Sequence, residues 1–325
     1  MGFMQFISII VPLTLTSAAP IISTSIGGLF SERSGVVNIG LEGLMMVGAF
    51  TAATVTVLLE GMVGSTSPWL PYLALIGILA GIIVGGLFSI IHAYVSINLR
   101  ADQVISGTAI NLLAGGITIY LCQIIFKQQR TLAFLTGIKK EDVPVLSKIP
   151  VLGDFFFSKV HITSYVIILI VVIVWYIVYK TPFGLRLRAV GEHPGAADSM
   201  GINVYKMRYI GVILSGMFAG LGGAIMVLTQ DIQYTYATIH GTGFIALAAL
   251  IFGKWHPFGV LGAGLFFGFS QALGIVAYQI KFLSKLPQEF FWAFPYVLTV
   301  IALVAFSGKS VGPRAAGKPY EKGER

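Results

Sequence analysis

The side chains able to do chemistry in this sequence are few and scattered. Five histidines, His92, His161, His193, His240 and His256, fall in different segments, and the single cysteine, Cys122, lies in an apolar run. Neither a disulfide nor a cysteine-based metal site can be assembled within the chain. No G-x-S-x-G elbow, H-E-x-x-H pair or G-x-x-x-x-G-K-[ST] phosphate loop occurs, so no signature of hydrolysis, metal catalysis or nucleotide binding is present. Two kinds of group remain. Asn38, Gln103, Thr108 and Asn111 are uncharged hydrogen-bonding side chains in apolar segments. They either line a path for a polar, uncharged solute or satisfy contacts between helices. Glu42 is an acidic residue inside an apolar segment, away from its ends, and carboxylates at that depth mark ion or solute pathways. Asp102, at a segment start, reads as a helix N-cap, while Glu60 and Asp231 fall at helix ends.

These groups are embedded in 325 residues that are 56% hydrophobic and 10% charged, with a mean hydropathy of +0.87. A soluble chain carries about a quarter charged residues. The expected fold class is therefore an all-α, polytopic transmembrane bundle, because lipid offers no partner for open backbone groups. Segments at 7–28, 40–59, 71–95, 103–126, 162–179, 209–228, 258–280 and 290–306 are long enough to span. The run 241–252 is only about a dozen residues, the length of a half-helix or re-entrant segment, and counts as a ninth, irregular crossing. The first segment lacks the basic leader and small-residue cleavage site of a signal peptide, so it is expected to be retained. A net charge of +8 and a pI near 9.5 then reflect basic loops rather than nucleic-acid binding.

Orientation follows from those loops. Lys180, Arg186, Arg188, Lys206 and Arg208 crowd the 180–208 loop, and Lys309, Arg314, Lys318, Lys322 and Arg325 follow in the tail. Placing both in the cytoplasm puts 13 Lys and Arg inside against 8 outside, with the N-terminus outside and the C-terminus inside. The membrane domain then covers 1–308, with an extracytoplasmic cap at 127–161, a cytoplasmic loop at 180–208 and a cytoplasmic basic tail at 309–325.

Glycine, 39 residues, falls largely inside the spans. Gly77, Gly81 and Gly85 share one helix face, and Gly216 with Gly220 and Gly264 with Gly268 repeat the small-xxx-small spacing. Such faces allow close helix approach, and either serve packing alone or take part in moving a solute. The short echo of Gly86-Leu87-Phe88 in Gly264-Leu265-Phe266, in oppositely directed spans, is compatible with an inverted repeat. Within the basic loop, Glu192 precedes Pro194 and Gly201 follows, which predicts a short helix over 194–200. Its small residues Gly195, Ala196 and Ala197 suit insertion into a partner's groove, and equally a plain surface helix closing a loop.

The stretch Thr181-Pro182-Phe183-Gly184-Leu185-Arg186-Leu187-Arg188-Ala189-Val190-Gly191-Glu192-His193-Pro194-Gly195-Ala196-Ala197-Asp198-Ser199-Met200-Gly201-Ile202 resembles the cytoplasmic loop of ABC importer permeases for ribose-like sugars, branched-chain amino acids and nucleosides. Glu32-Arg33-Ser34-Gly35-Val36-Val37-Asn38-Ile39-Gly40-Leu41-Glu42-Gly43-Leu44-Met45 looks like the signature of the nucleoside branch, as does Ala101-Asp102-Gln103-Val104-Ile105-Ser106-Gly107 with Asn111 and Leu112. The resemblance implies a bacterial plasma-membrane permease that pairs with a second permease chain, the same or related. It implies a cytoplasmic subunit with two nucleotide-binding domains, where ATP and Mg are bound, and an extracytoplasmic solute-binding lipoprotein. This chain would bind no cofactor. Carried over, the coupling helix is 192–201, with Glu192, His193, Ala196, Ala197, Asp198 and Gly201 at the ATPase. His193-Pro194 departs from the family pattern, where Asn and another residue stand. The alternatives are a sugar or branched-chain amino acid permease, a proton-coupled carrier and a non-transporting structural subunit.

Overall fold

The computed structural model describes residues 3–64, 67–144, 146–149 and 153–277, then 290, 293–294, 296–297, 300–301 and 312–322. Seven of its helices are long and apolar enough to cross a membrane. They are α1 (Phe3–Arg33), α2 (Leu41–Val63), α3 (Leu70–Ala93, continued by a π turn Tyr94–Asn98), α4 (Gln103–Phe126), α5 (Ile162–Lys180), α8 (Val204–Gln230) and α10 (Pro257–Val276). Between them lie the short helices α6 (Pro182–Glu192), α7 (Pro194–Ser199) and α9 (Thr242–Phe252). Among the described residues the count is thus seven spans and one half-span; the expected segment 290–306 falls largely outside them.

α8 sits at the centre, packed by α1, α2 and α3. Glycine sets the approach. A Cβ at Gly48 or Gly220 would strike the facing backbone, and one at Gly85 would lie 2.5 Å from the Gly216 carbonyl oxygen. Gly77 faces Ala52 and Thr56 of α2, Gly81 faces Gly48 and Ala224, and Gly264 and Gly268 lie against Ile22 and Ala18 of α1. α1 is longer than the 7–28 expectation because Gly27 and Gly28 continue it: they admit Ser215 of α8 and Leu250 of α9 against its side instead of ending it. Pro12 and Pro20 lie inside this helix. A proline removes the donor that would bond the carbonyl four residues earlier. For Pro20 that is the Thr16 carbonyl, which accepts instead from Gln230 Nε2 at 3.3 Å.

α4 lies at the rim, with Leu112 74% exposed and Ile105 70% exposed. A face this apolar requires lipid or another membrane chain to cover it. The 127–161 segment folds over the α2 end at Glu60, whose carboxylate accepts the backbone N–H of Leu135 (3.0 Å) and Thr136 (2.7 Å). It runs beside 228–234, where Thr131, Phe134 and Ile138 donate to the carbonyls of Tyr234, Ile232 and Leu228.

At the opposite end of the bundle the 180–208 segment is no loop. It is α6, α7 and the first turn of α8, and Arg208 stands inside α8 at 1% exposure. The segment is amphipathic enough to lay Leu187, Val190 and Ala197 on Val174, Val178, Val204 and Met207, so it folds onto the bundle. The tail is likewise packed rather than free over 312–322: Ala315 N–H donates to the Gly191 carbonyl at 2.9 Å.

Candidate functional site

Two interruptions of helical geometry meet in the middle of the bundle. The chain leaves α1 at Arg33 and re-enters a helix at Leu41. It leaves α8 at Gln230 and re-enters at Thr242. The depth of the second is fixed by register. Ser25 of α1 donates to the Ala246 carbonyl at 2.7 Å, and Ile21 clusters with Ile245 and Phe267. The first turn of α9 therefore lies level with the middle of the 31-residue α1.

Backbone groups freed at such depth need partners. In the first break they are side chains from α1, α3 and α4 and from Asn38 of the break itself. Gln103 Oε1 accepts the Val37 N–H (2.6 Å). Asn111 Oδ1 accepts the Gly43 N–H (2.7 Å) while its Nδ2 donates to the Ile39 carbonyl (3.0 Å). Asn38 Oδ1 accepts the Gly40 N–H (3.0 Å), and its Nδ2 donates to Ser215 Oγ (2.9 Å). The Val37 carbonyl faces His92 Nε2 at 3.0 Å. A carbonyl only accepts, so Nε2 carries the proton and Nδ1, 2.9 Å from Ser106 Oγ, accepts from that hydroxyl. Ser31 Oγ donates to the Val36 carbonyl at 2.7 Å.

The second break is held by a carboxylate. Glu42 Oε1 accepts the Gly241 N–H and Oε2 the Gly243 N–H, both at 2.7 Å. Glu42 was expected inside its segment and away from the ends; it is the second residue of α2 and so stands at the helix start. There it faces the N-terminus of α9, where a negative charge offsets the helix dipole. Close by, Tyr236, His240 and Phe244 are exposed, with Tyr236 laid on Gly115 of α4. Of the four neutral candidates only Thr108 stays on an exposed face; its Oγ1 returns to the Val104 carbonyl at 2.9 Å.

The elbow at the Arg33 end is built by its caps. Thr181 Oγ1 accepts the Gly184 N–H (3.3 Å) to start α6, with Pro182 at its first position. His193 ends α6 and starts α7, its Nδ1 accepting the Ala196 N–H at 3.2 Å. Gly201, at φ +80°, lets the chain turn back in the left-handed region, and Asn203 caps α8 through the Lys206 N–H. Glu192 pairs with Arg33 at 3.9 Å. His193, Ala196 and Gly201 are exposed, Ala197 is buried against the bundle, and Asp198 turns toward Tyr320. Met200 is 82% exposed at the tip.

The family model described as branched-chain amino acid transport system / permease component matches residues 11–303. The chain belongs to that family. Three relatives extend the match. The guanosine ABC transporter permease protein NupQ of Bacillus subtilis (strain 168) is 51% identical over 100% of both chains. The nucleoside ABC transporter permease protein NupC of Lactococcus lactis is 44% identical over 99% of both. The guanosine ABC transporter permease protein NupP, also of Bacillus subtilis (strain 168), is 29% identical over 92% of this chain and 81% of its own. The permease is a multi-pass membrane transport component, not an enzyme.

Several residues that shape the permease were not legible in its sequence. His92, Ser215 and Ser31 look like ordinary small polar residues of apolar helices until the fold brings them to the first break. Met200 carries no spacing signal, since one apolar residue after a short helix has no periodicity to belong to.

Proposed function

We propose that this chain is a membrane subunit of an ATP-driven importer of nucleosides. The relatives' names support the substrate class, because identity of 51% and 44% runs over essentially the whole chain. Two different permease proteins carry the guanosine name in one Bacillus subtilis strain, which favours pairing with a second, related permease chain. A separate ATPase with two nucleotide-binding domains, holding ATP and Mg, supplies the energy. A solute-binding lipoprotein delivers the nucleoside to the 127–161 cap.

The observation that carries the coupling is the α6–α7 elbow. It lays a short capped helix on the bundle through Ala197 and presents His193, Ala196 and the exposed Met200 on its outer side, while Glu192 ties it to Arg33. Arg33, Arg100, Lys180, Arg186, Arg188 and the tail share this end, the arrangement expected of a cytoplasmic face, which supports the reading with the N-terminus outside. The path for solute runs along the exposed face of α4 at Thr108, beside Tyr236 and Phe244, between the two permease chains. Asn38, Gln103 and Asn111 support that path from behind through the first break, and Glu42 through the second. Met200→Glu in the complete transporter should cut ATP-dependent guanosine uptake at least ten-fold with the chain still in the membrane; undiminished uptake would overturn the docking role. Collapsing the proton gradient with ATP kept high should leave uptake intact, and a loss would favour a proton-coupled carrier.

A further inference from the structure

Residues 312–322 return to the bundle and touch almost every element that a moving elbow would have to displace. Gly312 packs on Trp255, whose indole Nε1–H donates to Glu32 at the end of α1. Ala315 donates its N–H to the Gly191 carbonyl of α6 at 2.9 Å, and its own carbonyl lies against Gly35. Gly317 lies against Val37 of the first break. The Lys318 carbonyl accepts from Arg208 Nη1 of α8 at 3.1 Å. Tyr320 is the hub: its ring stacks edge-on against Tyr205 at 5.6 Å, lies 5.9 Å from the Arg208 guanidinium and is 8% exposed. Its side chain also faces the Asp198 carboxylate of α7. Glu321 pairs with Arg100, just beyond the π turn that ends α3.

We infer that 312–322 is a transmission strap, which carries movement of the α7 elbow to the first helix break and so opens or closes the path at its cytoplasmic end. The inference rests on the coupling role proposed above and deepens it by naming the residues that pass the motion on.

Two observations go beyond simple anchoring. The elbow meets the start of the break directly, where Gly191 lies against Arg33 and Gly35, and the strap adds a second link that reaches further, from Asp198 of α7 to Val37. Asp198 and Gly191 lie on one side of it and Gly35 and Val37 on the other. Val37 in turn holds Gln103 and His92 through its N–H and carbonyl. A shift of the strap is therefore a shift of the backbone on which α3 and α4 are hung. The strap is also held over a group that does not favour burial. Among the described residues Arg208 Nε and Nη2 are buried without hydrogen-bond partners, so the guanidinium is held there by one tail carbonyl and the Tyr320 ring rather than by a carboxylate. A buried cation so weakly compensated destabilises the seated arrangement relative to one in which the strap lifts and water reaches the guanidinium. The seat thus has two accessible states, which a transmitting element needs.

The test uses the complete transporter in proteoliposomes, comparing guanosine uptake with ATP hydrolysis in the same preparation. Truncation after Val311 and Tyr320→Ala should each lower uptake per ATP at least five-fold, with basal ATP hydrolysis within two-fold of the parent. Arg100→Glu and Glu321→Arg should each lower the ratio, and the double exchange should restore it, a rescue that lost folding would not give. Unchanged uptake per ATP in both the truncation and Tyr320→Ala, or no rescue by the double exchange, would overturn the strap. A parallel measurement follows backbone hydrogen exchange over 33–43 in the ATPase-bound complex when ATP is added. The parent should respond and the truncated chain should not, and equal responses would overturn the strap whatever the solute. Failure of the parent to take up any nucleoside would instead count against the substrate reading, with the exchange measurement still deciding the strap.

Discussion

The chain abandons helical geometry between α1 and α2 and again between α8 and α9, and the two breaks meet the same backbone problem with opposite chemistry. At 34–40 the freed groups are satisfied by neutral partners, Gln103 and Asn111 from α4, His92 from α3, Ser215 from α8 through Asn38, and Ser31 from α1. At 231–241 the decisive partner is a single carboxylate, Glu42, on the open end of a half-helix. A network of neutral amides spreads its cost over four helices and fixes them relative to one another. A charge on a helix N-terminus instead concentrates the interaction in one residue. The first break is therefore a joint of the scaffold, and the second is the point at which one side chain governs the seating of α9 and of the exposed Phe244.

The largest effect should come from the concentrated side of that contrast. Glu42→Ala leaves the buried Gly243 N–H and the half-buried Gly241 N–H without their acceptor and removes the carboxylate, and should cost about 3 kcal/mol. Glu42→Gln, which keeps one accepting oxygen, should recover part of it. Thermal unfolding in detergent reads both, and a loss below about 1 kcal/mol for Glu42→Ala would erase the distinction between the breaks. Next, Asn111→Ala should cost roughly 1–3 kcal/mol. Combined with Gln103→Ala it should depart from additivity by about 0.5 kcal/mol or more, since both hold the same strand of backbone. Strict additivity would mean the amides act independently.

A third experiment separates the breaks by pH. The 228–234 stretch, which closes α8 and opens the second break, is hydrogen-bonded to the cap, and the cap ends at His161, whose pKa is lowered to about 4 by burial and by the nearby Lys140. Between about pH 6.5 and 4 the unfolded cap binds a proton that the folded cap does not, so its stability is complete above that window and falls as pH drops through it. Hydrogen exchange over 131–138 and 228–235 should quicken, beyond the intrinsic rate change, between pH 7.5 and 5, and His161→Gln should remove that response without altering the exchange of 36–43, where His92 rather than His161 holds Val37. A response at 36–43 that His161→Gln also removes would show that the breaks are not independently held. The smallest change in stability belongs to Thr108→Val, within about 0.5 kcal/mol, because its hydroxyl only returns to its own helix. Guanosine uptake should nevertheless change, and wild-type uptake would remove Thr108 from the path.

Much of this was written along the chain. The apolar runs fixed a helical membrane bundle, since no other backbone arrangement built from such segments survives in lipid. The Glu192, Pro194 and Gly201 signals placed α7, because such signals act within a turn of the residues that make them, whereas α6 before it was not expected. The shortness of 241–252 exposed the half-helix. Its meeting with Glu42, 199 positions earlier, depends on how α1, α2 and α9 pack, and no local pattern encodes that distance. The same holds for Asn38, Gln103 and Asn111: their types announced hydrogen bonding, but only the packed bundle decided that backbone, rather than open space, would take most of it. The tail reads as a basic, solvated end because its charges dominate its composition. The fold overrules that reading by offering Tyr320, Glu321 and the Lys318 carbonyl a seat assembled from α6, α7, α8 and Arg100, a surface that exists only once those elements are side by side.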